Sequence, residues 1–324
     1  MKKNKILLFS LILVLAAFLA ACGGQGGGKK DGEGGETTAL TLLTGGTGGT
    51  YYPLGGEIAS IMQEHTDYTV SSVTSGASTE NMNKVQSGDG HLALVQTDIA
   101  SYGVEGTLMF EEKLDKVTAV GALYPETVQI VTTADSGITS VEDLAGKVVS
   151  VGDTGSGTLE NAKQILEVHG LSIDDLDAQY LPFDESTDSI QDGTIDAAFV
   201  TAGAPTASVE QLSVQADVVI VPIEDDKIDA LIEKYPYYAK EVIPAGTYGL
   251  AEDTQTVAVL AMLIANGDLS EDQVYELTKA FFDNEGDITH DKGEKISAET
   301  AVEGIGIPFH PGAEKYFKEK GLLE

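Results

Sequence analysis

Short apolar runs alternate with amphipathic segments along most of the chain. Residues 40–43 read Leu-Thr-Leu-Leu, and residues 52–65 place apolar side chains three and four positions apart at Leu54, Ile58, Ile61 and Met62. The first pattern is typical of a short buried strand, and the second is typical of an amphipathic helix. The same reasoning predicts strands over 68–73 and 92–95 and, between them, a helix that ends at Gly88.

Much of this plan recurs in the second half of the chain. Residues 148–151, Val-Val-Ser-Val, predict a strand, the turn 152–158 is rich in glycine, and residues 159–169 have helical periodicity with Gly170 as a stop. A strand over 180–183 and a helix over 185–192 are predicted next. Residues 190–193 and 196–201 then repeat residues 85–88 and 91–96 at a constant offset, which places Thr201 where Gln96 stood.

Alternating strands and helices at these spacings predict an α/β fold with parallel layers, and the repeat predicts two similar lobes. The apolar run 257–264 is expected to return to the first lobe. We therefore expect lobe I over 39–126 and 250–324 and lobe II over 127–249. Ligands of such sheets lie beyond the carboxyl ends of the strands, so both glycine-rich turns would face one cleft. Two α/β domains that share no site remain the alternative.

The N-terminus has the layout of an export signal. Lys2, Lys3 and Lys5 precede an apolar run over residues 6–21, which is shorter than a comfortable membrane span. The run ends in Leu-Ala-Ala-Cys, which resembles a bacterial lipobox with Cys22 as the lipid anchor. Residues 1–21 are thus a predicted signal peptide, and the polar residues 22–38 are a predicted flexible tether. An ordinary signal peptide with an incidental cysteine is the alternative.

The charge of the chain limits its partners. The formal net charge is −33, and all 19 basic residues are lysines, so arginine is absent. A protein this acidic repels nucleic acid and anionic lipid. An anionic ligand would have to be held without a guanidinium group, mainly by backbone N–H groups and hydroxyls.

The glycine-rich turns suit that task, because the start of a helix offers unpaired N–H donors and a partial positive charge. Simple helix capping is the alternative for any single serine or threonine. Of the adjacent Tyr51 and Tyr52, at most one is expected to be buried, and one is expected in the site. Asn81 and Gln96 are expected to contact a second polar group of the ligand. The full set of candidate ligand-binding residues is Thr47, Thr50, Tyr51, Tyr52, Ser75, Gly76, Ser78, Asn81, Gln96, Gly155, Ser156, Gly157, Thr158 and Thr201.

Some segments resemble enzyme motifs, but none of them matches its motif fully. Residues 45–50 lack the Gly-Lys-Ser/Thr of a phosphate-binding loop, and Tyr51 stands where the third glycine of a dinucleotide fingerprint belongs. Asp153 begins an Asp-Thr-Gly-Ser segment, but this segment leads into a predicted helix rather than the β-structure of an aspartic protease. The five histidines share no metal spacing. No enzyme activity, cofactor or metal is predicted; an extracellular hydrolase is a distant alternative.

Several of these segments together resemble the TAXI family, the solute receptors of one branch of the tripartite ATP-independent periplasmic (TRAP) transporters. They are TGGTYYPLG at 47–55, SGASTEN at 75–81, QTD at 96–98, DLAGK at 143–147, GSGT at 155–158 and IPFHPGA at 307–313. The resemblance implies a two-lobed type II periplasmic-binding-protein fold with a ligand cleft between the lobes. It also implies glutamate, glutamine, 2-oxoglutarate or a related small carboxylate as ligand, and a TRAP-type permease as partner.

The resulting expectation is a monomeric solute-binding lipoprotein on the outer face of the cell membrane. It would hold a small carboxylate or amino acid between its lobes and deliver it to a TRAP-type secondary importer. The alternative is a two-lobed receptor that serves an ATP-driven importer or a signalling system.

Overall fold

The computed structural model describes residues 38–324, so the predicted signal peptide, Cys22 and nearly all of the predicted tether lie outside the described residues. The strands are β1 (Ala39–Leu43), β2 (Thr69–Val73), β3 (Leu92–Gln96), β4 (Val117–Thr133), β5 (Val148–Ser150), β6 (Asp177–Gln179), β7 (Ala197–Ala202), β8 (Val218–Ile220), β9 (Ala239–Ile243) and β10 (Thr254–Asn266). The helices are α1 (Tyr51–Glu64), α2 (Ser78–Ser87), α3 (Thr97–Glu105), α4 (Gly157–Val168), α5 (Phe183–Gln191), α6 (Ala207–Ser213), α7 (Asp225–Lys234), α8 (Glu271–Phe282) and α9 (Pro311–Glu319).

Two long antiparallel strands, β4 and β10, link two smaller groups of parallel strands. The order along the sheet is β2-β1-β3-β10-β4-β7-β5-β6, with β8 on β4 and β9 on β10. At one end β1 pairs in parallel with β2 and β3; at the other, β5 pairs in parallel with β6 and β7. Parallel pairing requires a crossover, and helices of the chain supply it in each group.

The buried side chains divide in the same way. Two apolar clusters draw their buried members from residues 40–124 and 261–317, and two others draw theirs from residues 128–259. In the first group α8 and α9 pack against each other, and α8 also contacts α1. We call these groups the first lobe and the second lobe. The boundaries at residues 126 and 250 stay a prediction.

β4 and β10 pass from one lobe to the other. Ala258 pairs with Thr127, and Thr127 pairs in turn with Ala202 of β7, so this point joins all three strands. Register shifts interrupt the β4–β10 ladder between Leu260 and Met262 and again between Leu263 and Ile264. Such irregularities bend a strand locally. The lobes are therefore connected by a double-stranded, bent ribbon.

Two differences from the predicted elements bear on how the lobes are built. The predicted strand over 180–183 is a loop that leads into α5, because the strand of this unit lies earlier, at Asp177–Gln179. The 17-residue strand β4, which connects the lobes, was not predicted. Among residues 38–324, no helix is long and apolar enough to span a membrane.

Candidate functional site

A cavity of about 50 Å³ lies between the two lobes. The first lobe contributes the glycine-rich turn before α1, the start of α2 and the end of β3; the second lobe contributes the starts of α4 and α5 and the end of β7. The residues that line it are Gly45, Gly46, Gly49, Thr50, Tyr51, Ser75, Gly76, Ala77, Ser78, Gln96, Glu126, Asp153, Ser156, Gly157, Thr158, Pro182, Phe183, Thr201 and Ala202.

The turn before α1 uses glycine to let the second lobe approach. A Cβ atom at Gly48 would lie 2.8 Å from the backbone nitrogen of Asp184, closer than real Cβ contacts allow. Thr50 at the N-cap position makes no side-chain cap; instead its hydroxyl accepts from Gly203 N–H of the second lobe at 3.1 Å. Pro53 has no N–H group and Leu54 N–H donates to the Thr50 carbonyl at 3.2 Å, so within the described part of the chain the amides of Tyr51 and Tyr52 are the ones at this helix start without a partner.

The start of α4 is built differently. The Ser156 hydroxyl caps this helix by accepting from Leu159 N–H at 3.2 Å, and it donates to the carbonyl of Asp153 at 2.7 Å. Both Gly157 and Thr158 are buried in the cavity wall, and their amides belong to the first helical turn. This start can therefore still offer amide N–H groups to an anion.

The start of α2 is already occupied by the opposite lobe. The carbonyl of Gly155 accepts from the amides of Thr79 at 3.0 Å and Glu80 at 3.1 Å. The Gly76 amide donates to the Glu80 carboxylate at 2.9 Å, and the Ser78 hydroxyl accepts from Gln96 N–H at 3.1 Å. In this arrangement the start of α2 holds the two lobes together, and its Thr79 and Glu80 amides are not free to bind an anion.

A buried carboxyl group, Glu126 of β4, forms part of the cavity wall. The hydroxyl of Tyr51 donates to it at 2.8 Å and that of Tyr124 at 3.4 Å. Burial, aided by the charge of Asp98, raises the pKa of Glu126 to about 8, although the two tyrosine hydrogen bonds oppose the shift. Sequence reasoning missed Glu126, because a single glutamate within an unrecognised strand gives no signal.

Two polar atoms at the cavity lack a partner. Gln96 is 2% exposed and its Nε2 donates to Asn161 Oδ1 at 3.0 Å, whereas its Oε1 makes no hydrogen bond. Thr201 is 5% exposed, and its hydroxyl makes none either. Because unpaired buried polar atoms cost free energy, both atoms favour a ligand that pairs with them. The Thr201 hydroxyl can donate to an anion, whereas Gln96 Oε1 only accepts and requires a donor group on the ligand.

Four predicted site residues lie outside the cavity wall. Thr47 donates to the Asp184 carboxylate at 2.9 Å, and Tyr52 is 44% exposed, so of the adjacent tyrosines only Tyr51 is buried. Asn81 is buried, but its amide nitrogen donates to the carbonyls of Thr44 and Leu94, each at 2.8 Å. Gly155 packs against α2. The other ten line the cavity: Thr50, Tyr51, Ser75, Gly76, Ser78, Gln96, Ser156, Gly157, Thr158 and Thr201.

A lysine that the sequence did not single out also bridges the lobes. Lys292 follows α8 in the first lobe, and its Nζ donates to the carbonyl of Ala204 in the second lobe. Burial lowers its pKa. Together with the Thr50–Gly203 and Gly155–α2 contacts, this hydrogen bond shows that the lobes are closed on each other.

Within residues 38–324, no group of three or more His, Cys, Asp or Glu side chains is placed to hold a metal ion. His310 caps α9 by accepting from Gly312 N–H at 3.1 Å.

Solved structures with a similar fold are two-lobed binding proteins. The alkanesulfonate-binding protein SsuA from Xanthomonas axonopodis pv. citri, bound to MOPS, aligns over 88% of this chain and 85% of its own, at 14% identity and a TM-score of 0.51. PhnD1 from Prochlorococcus marinus, in complex with methylphosphonate, aligns over 88% and 99% at 10% identity and a TM-score of 0.52. MatC from Rhodopseudomonas palustris, with bound malate, aligns over 88% and 99% at 13% identity and a TM-score of 0.54. The expected two-lobed, periplasmic-binding-protein-like α/β fold is thus confirmed.

The resemblance to TAXI receptors of TRAP transporters is corrected by the family comparison. Short glycine-rich turns are common where the start of a helix faces a ligand cleft. They therefore indicate this kind of fold, but they do not distinguish one family with the fold from another. The family model that matches covers residues 42–321 and describes the NMT1-like family. The chain belongs to the NMT1-like family.

Proposed function

We propose that this protein is an extracytoplasmic solute receptor that traps a small anionic solute between its lobes and hands it to a membrane importer. The observation that carries the proposal is the cavity walled by both lobes, in which the buried Oε1 of Gln96 and the hydroxyl of Thr201 find no partner among residues 38–324. A ligand that contacts both lobes favours the closed state, because only there does it make all of its contacts. The protein acts by binding and release and is not an enzyme.

The proposed ligand carries at least one carboxylate. Its seat is formed mainly by the first-turn amides of α1 and α4, since no arginine exists and no lysine lines the cavity. The bound sulfonate, phosphonate and malate of the similar folds support an anionic ligand, and malate is itself a carboxylate. At neutral pH most Glu126 would be protonated and would add a donor rather than a repelling charge.

The proposed partner is an ATP-driven importer. The NMT1-like family match removes the argument for a secondary permease, and the similar folds include proteins that bind sulfonate and phosphonate. Solute uptake that stops on depletion of ATP, but persists when ion gradients are collapsed, would support this partner. The opposite pattern would contradict it, and an absence of uptake with an intact signalling response would favour a sensor.

The proposed location is the outer face of the cell membrane, with a lipid on Cys22 as anchor. This proposal depends on the basic, apolar and Leu-Ala-Ala-Cys segments at the N-terminus. Metabolic labelling with a fatty acid should mark the wild-type protein and leave a Cys22→Ala variant unlabelled.

The decisive experiment identifies the solute. Native mass spectrometry of gently purified protein should reveal a bound small molecule, and calorimetry with glutamate, glutamine, 2-oxoglutarate, malate and methylphosphonate should rank candidates. We expect stoichiometric binding of an acid without turnover. A neutral or cationic ligand would contradict the anion seat, and turnover of any bound molecule would contradict the receptor assignment.

A further inference from the structure

A second group of buried polar side chains joins the lobes beside the cavity. Asn161 of α4 stands at its centre: its Oδ1 accepts from Gln96 Nε2 at 3.0 Å, and its Nδ2 lies 3.0 Å from Asp98 Oδ2 and 2.8 Å from the Tyr238 hydroxyl. Gln96 and Asp98 belong to the first lobe, whereas Asn161 and Tyr238 belong to the second. Asn161 and Asp98 are both fully buried.

The network extends away from the cavity. The Tyr238 hydroxyl donates to Gln164 Oε1 at 2.7 Å, and Gln164 Nε2 donates to the Tyr102 hydroxyl at 3.2 Å. Tyr102 lies on α3 of the first lobe and Gln164 on α4 of the second, so this hydrogen bond also crosses the cleft. Asp98, Asn161 and Gln164 do not line the cavity, so Gln96 is the residue that connects this network to the proposed ligand contacts.

We propose that Asn161 and Asp98 form a buried latch that holds the lobes closed, and that closure of the latch takes up a proton on Asp98. The proposal goes beyond solute binding, but its biological meaning rests on the proposed receptor function. Opening of the lobes would separate Asn161 from Asp98 and return the carboxyl group to water.

The surroundings of Asp98 favour its neutral form. Among residues 38–324, Oδ1 of Asp98 finds no hydrogen-bond partner and the carboxyl group forms no ion pair with a lysine. The charged groups that act on it are Glu160 of α4, itself paired with Lys163, and Glu126 of β4. Tyr102 and Tyr238, from α3 and the segment before β9, face it from the remaining sides.

The pH dependence follows from these surroundings. Burial raises the pKa of Asp98 to about 7 in the closed state, despite opposing hydrogen bonds from the backbone and from Asn161. An open cleft would return the pKa toward its ordinary value near 3.8. The closed state then binds the proton more tightly, so closure strengthens as the pH falls. Between about pH 8.5 and about pH 5.5 the closing equilibrium should rise about 30-fold.

The contribution of Glu126 must be separated from that of Asp98. Burial raises the pKa of Glu126 to about 8, so protonation of Glu126 also stabilises the protein as the pH falls. The test therefore compares Glu126→Gln with the double variant Asp98→Asn, Glu126→Gln. Small-angle X-ray scattering of the mature protein, without any solute, measures lobe closure over the pH range. Because no ligand is used, failure here is distinguishable from failure of the proposed receptor function.

We expect the radius of gyration of the Glu126→Gln protein to fall as the pH falls, and that of the double variant to stay constant and small. Asp67→Asn, an exposed change in the first lobe, should behave as wild type. Asn161→Ala should shift the protein toward the open state, whereas Asn83→Ala, an exposed position on α2, should not. A pH-independent radius in the Glu126→Gln protein, or equal pH dependence in the double variant, would overturn the proposal.

Discussion

A Cβ atom placed on Gly157 would overlap the side-chain oxygen of Gln96. Gly157 is the first residue of α4 in the second lobe, and Gln96 ends β3 in the first. The absence of a side chain at Gly157 therefore permits the two lobes to meet at the cavity. Gln96 cannot simply move aside, because its Nε2 is held by Asn161.

This contact predicts that Gly157→Ala prevents full closure. Solute affinity should fall at least tenfold, which corresponds to about 1.4 kcal/mol. Gly157→Asp adds a charge at the same position, so the difference between the two variants isolates the repulsion of an anionic ligand. Gly56→Ala on α1, where the new methyl group meets only Ser72 Oγ at 4.0 Å, is the matched control. Calorimetry should show unchanged affinity in the control; unchanged affinity in Gly157→Ala would contradict the contact.

Glu126 predicts an unusual dependence of stability on pH. Its folded-state pKa of about 8 lies above the ordinary value of 4.5, so the unfolded state releases the proton more readily. The free energy of unfolding should therefore decrease between about pH 4.5 and about pH 8, by a few kcal/mol at most. Glu126→Gln should remove this component. Urea unfolding across the range measures it, with the exposed Glu303→Gln as control; parallel profiles for wild type and Glu126→Gln would refute it.

Tyr51 should act on the stability of the protein through Glu126. Tyr51→Phe removes the hydroxyl that donates to the carboxyl group at 2.8 Å, and an unpaired buried acceptor costs about 1–3 kcal/mol. The loss should be larger above pH 8, where Glu126 is ionised, than near pH 5. Tyr52→Phe, at the neighbouring exposed position, should be neutral in the same unfolding experiment. If the stability lost in Tyr51→Phe did not depend on pH, the effect of Tyr51 would not act through Glu126.

Substitutions of Ser156 and Thr158 should distinguish the effect of helix capping on stability from the effect of ligand contacts on affinity. Ser156→Ala removes the N-cap of α4 and should lower the free energy of unfolding by about 1 kcal/mol. Thr158→Val keeps the shape of the side chain and removes no cap. If the Thr158 hydroxyl contacts the ligand, affinity should fall about tenfold while thermal stability changes little. Equal losses of stability in both variants would argue that the pair is structural.

If Cys22 carries the proposed lipid anchor, its loss should change where the protein is found and leave its affinity for solute unchanged. Cys22→Ala should release the protein to the medium or leave it unprocessed, because the proposed lipid acceptor is lost. Fractionation followed by immunoblotting measures this. Purified residues 37–324 should bind solute as tightly as the mature chain; much weaker binding would mean that residues 22–36 contribute to the site.

Local patterns predicted the parallel units well. The periodicity of residues 52–65 and 159–169 located α1 and α4 within two residues at each end, because an amphipathic helix shows its buried face in the sequence. Gly88 and Gly170 end α2 and α4 with φ of +83° and +77°, as their positions predicted. The strand over 180–183 was wrong because Tyr180 and Phe183 suit a strand locally, whereas the pairing with β5 falls on residues 177–179.

The sequence by itself determined the alternation of strands and helices, the repeat, the acidic charge without arginine and the glycine-rich helix starts. These features depend on residues close together in the chain. Only the tertiary structure decided that Glu126 faces Tyr51, that Gly155 caps the helix of the opposite lobe, and that Asn161 meets Asp98. Each of these contacts joins residues far apart in sequence, and two of them cross the cleft. They depend on how distant parts of the chain pack against one another, so no local pattern could carry them.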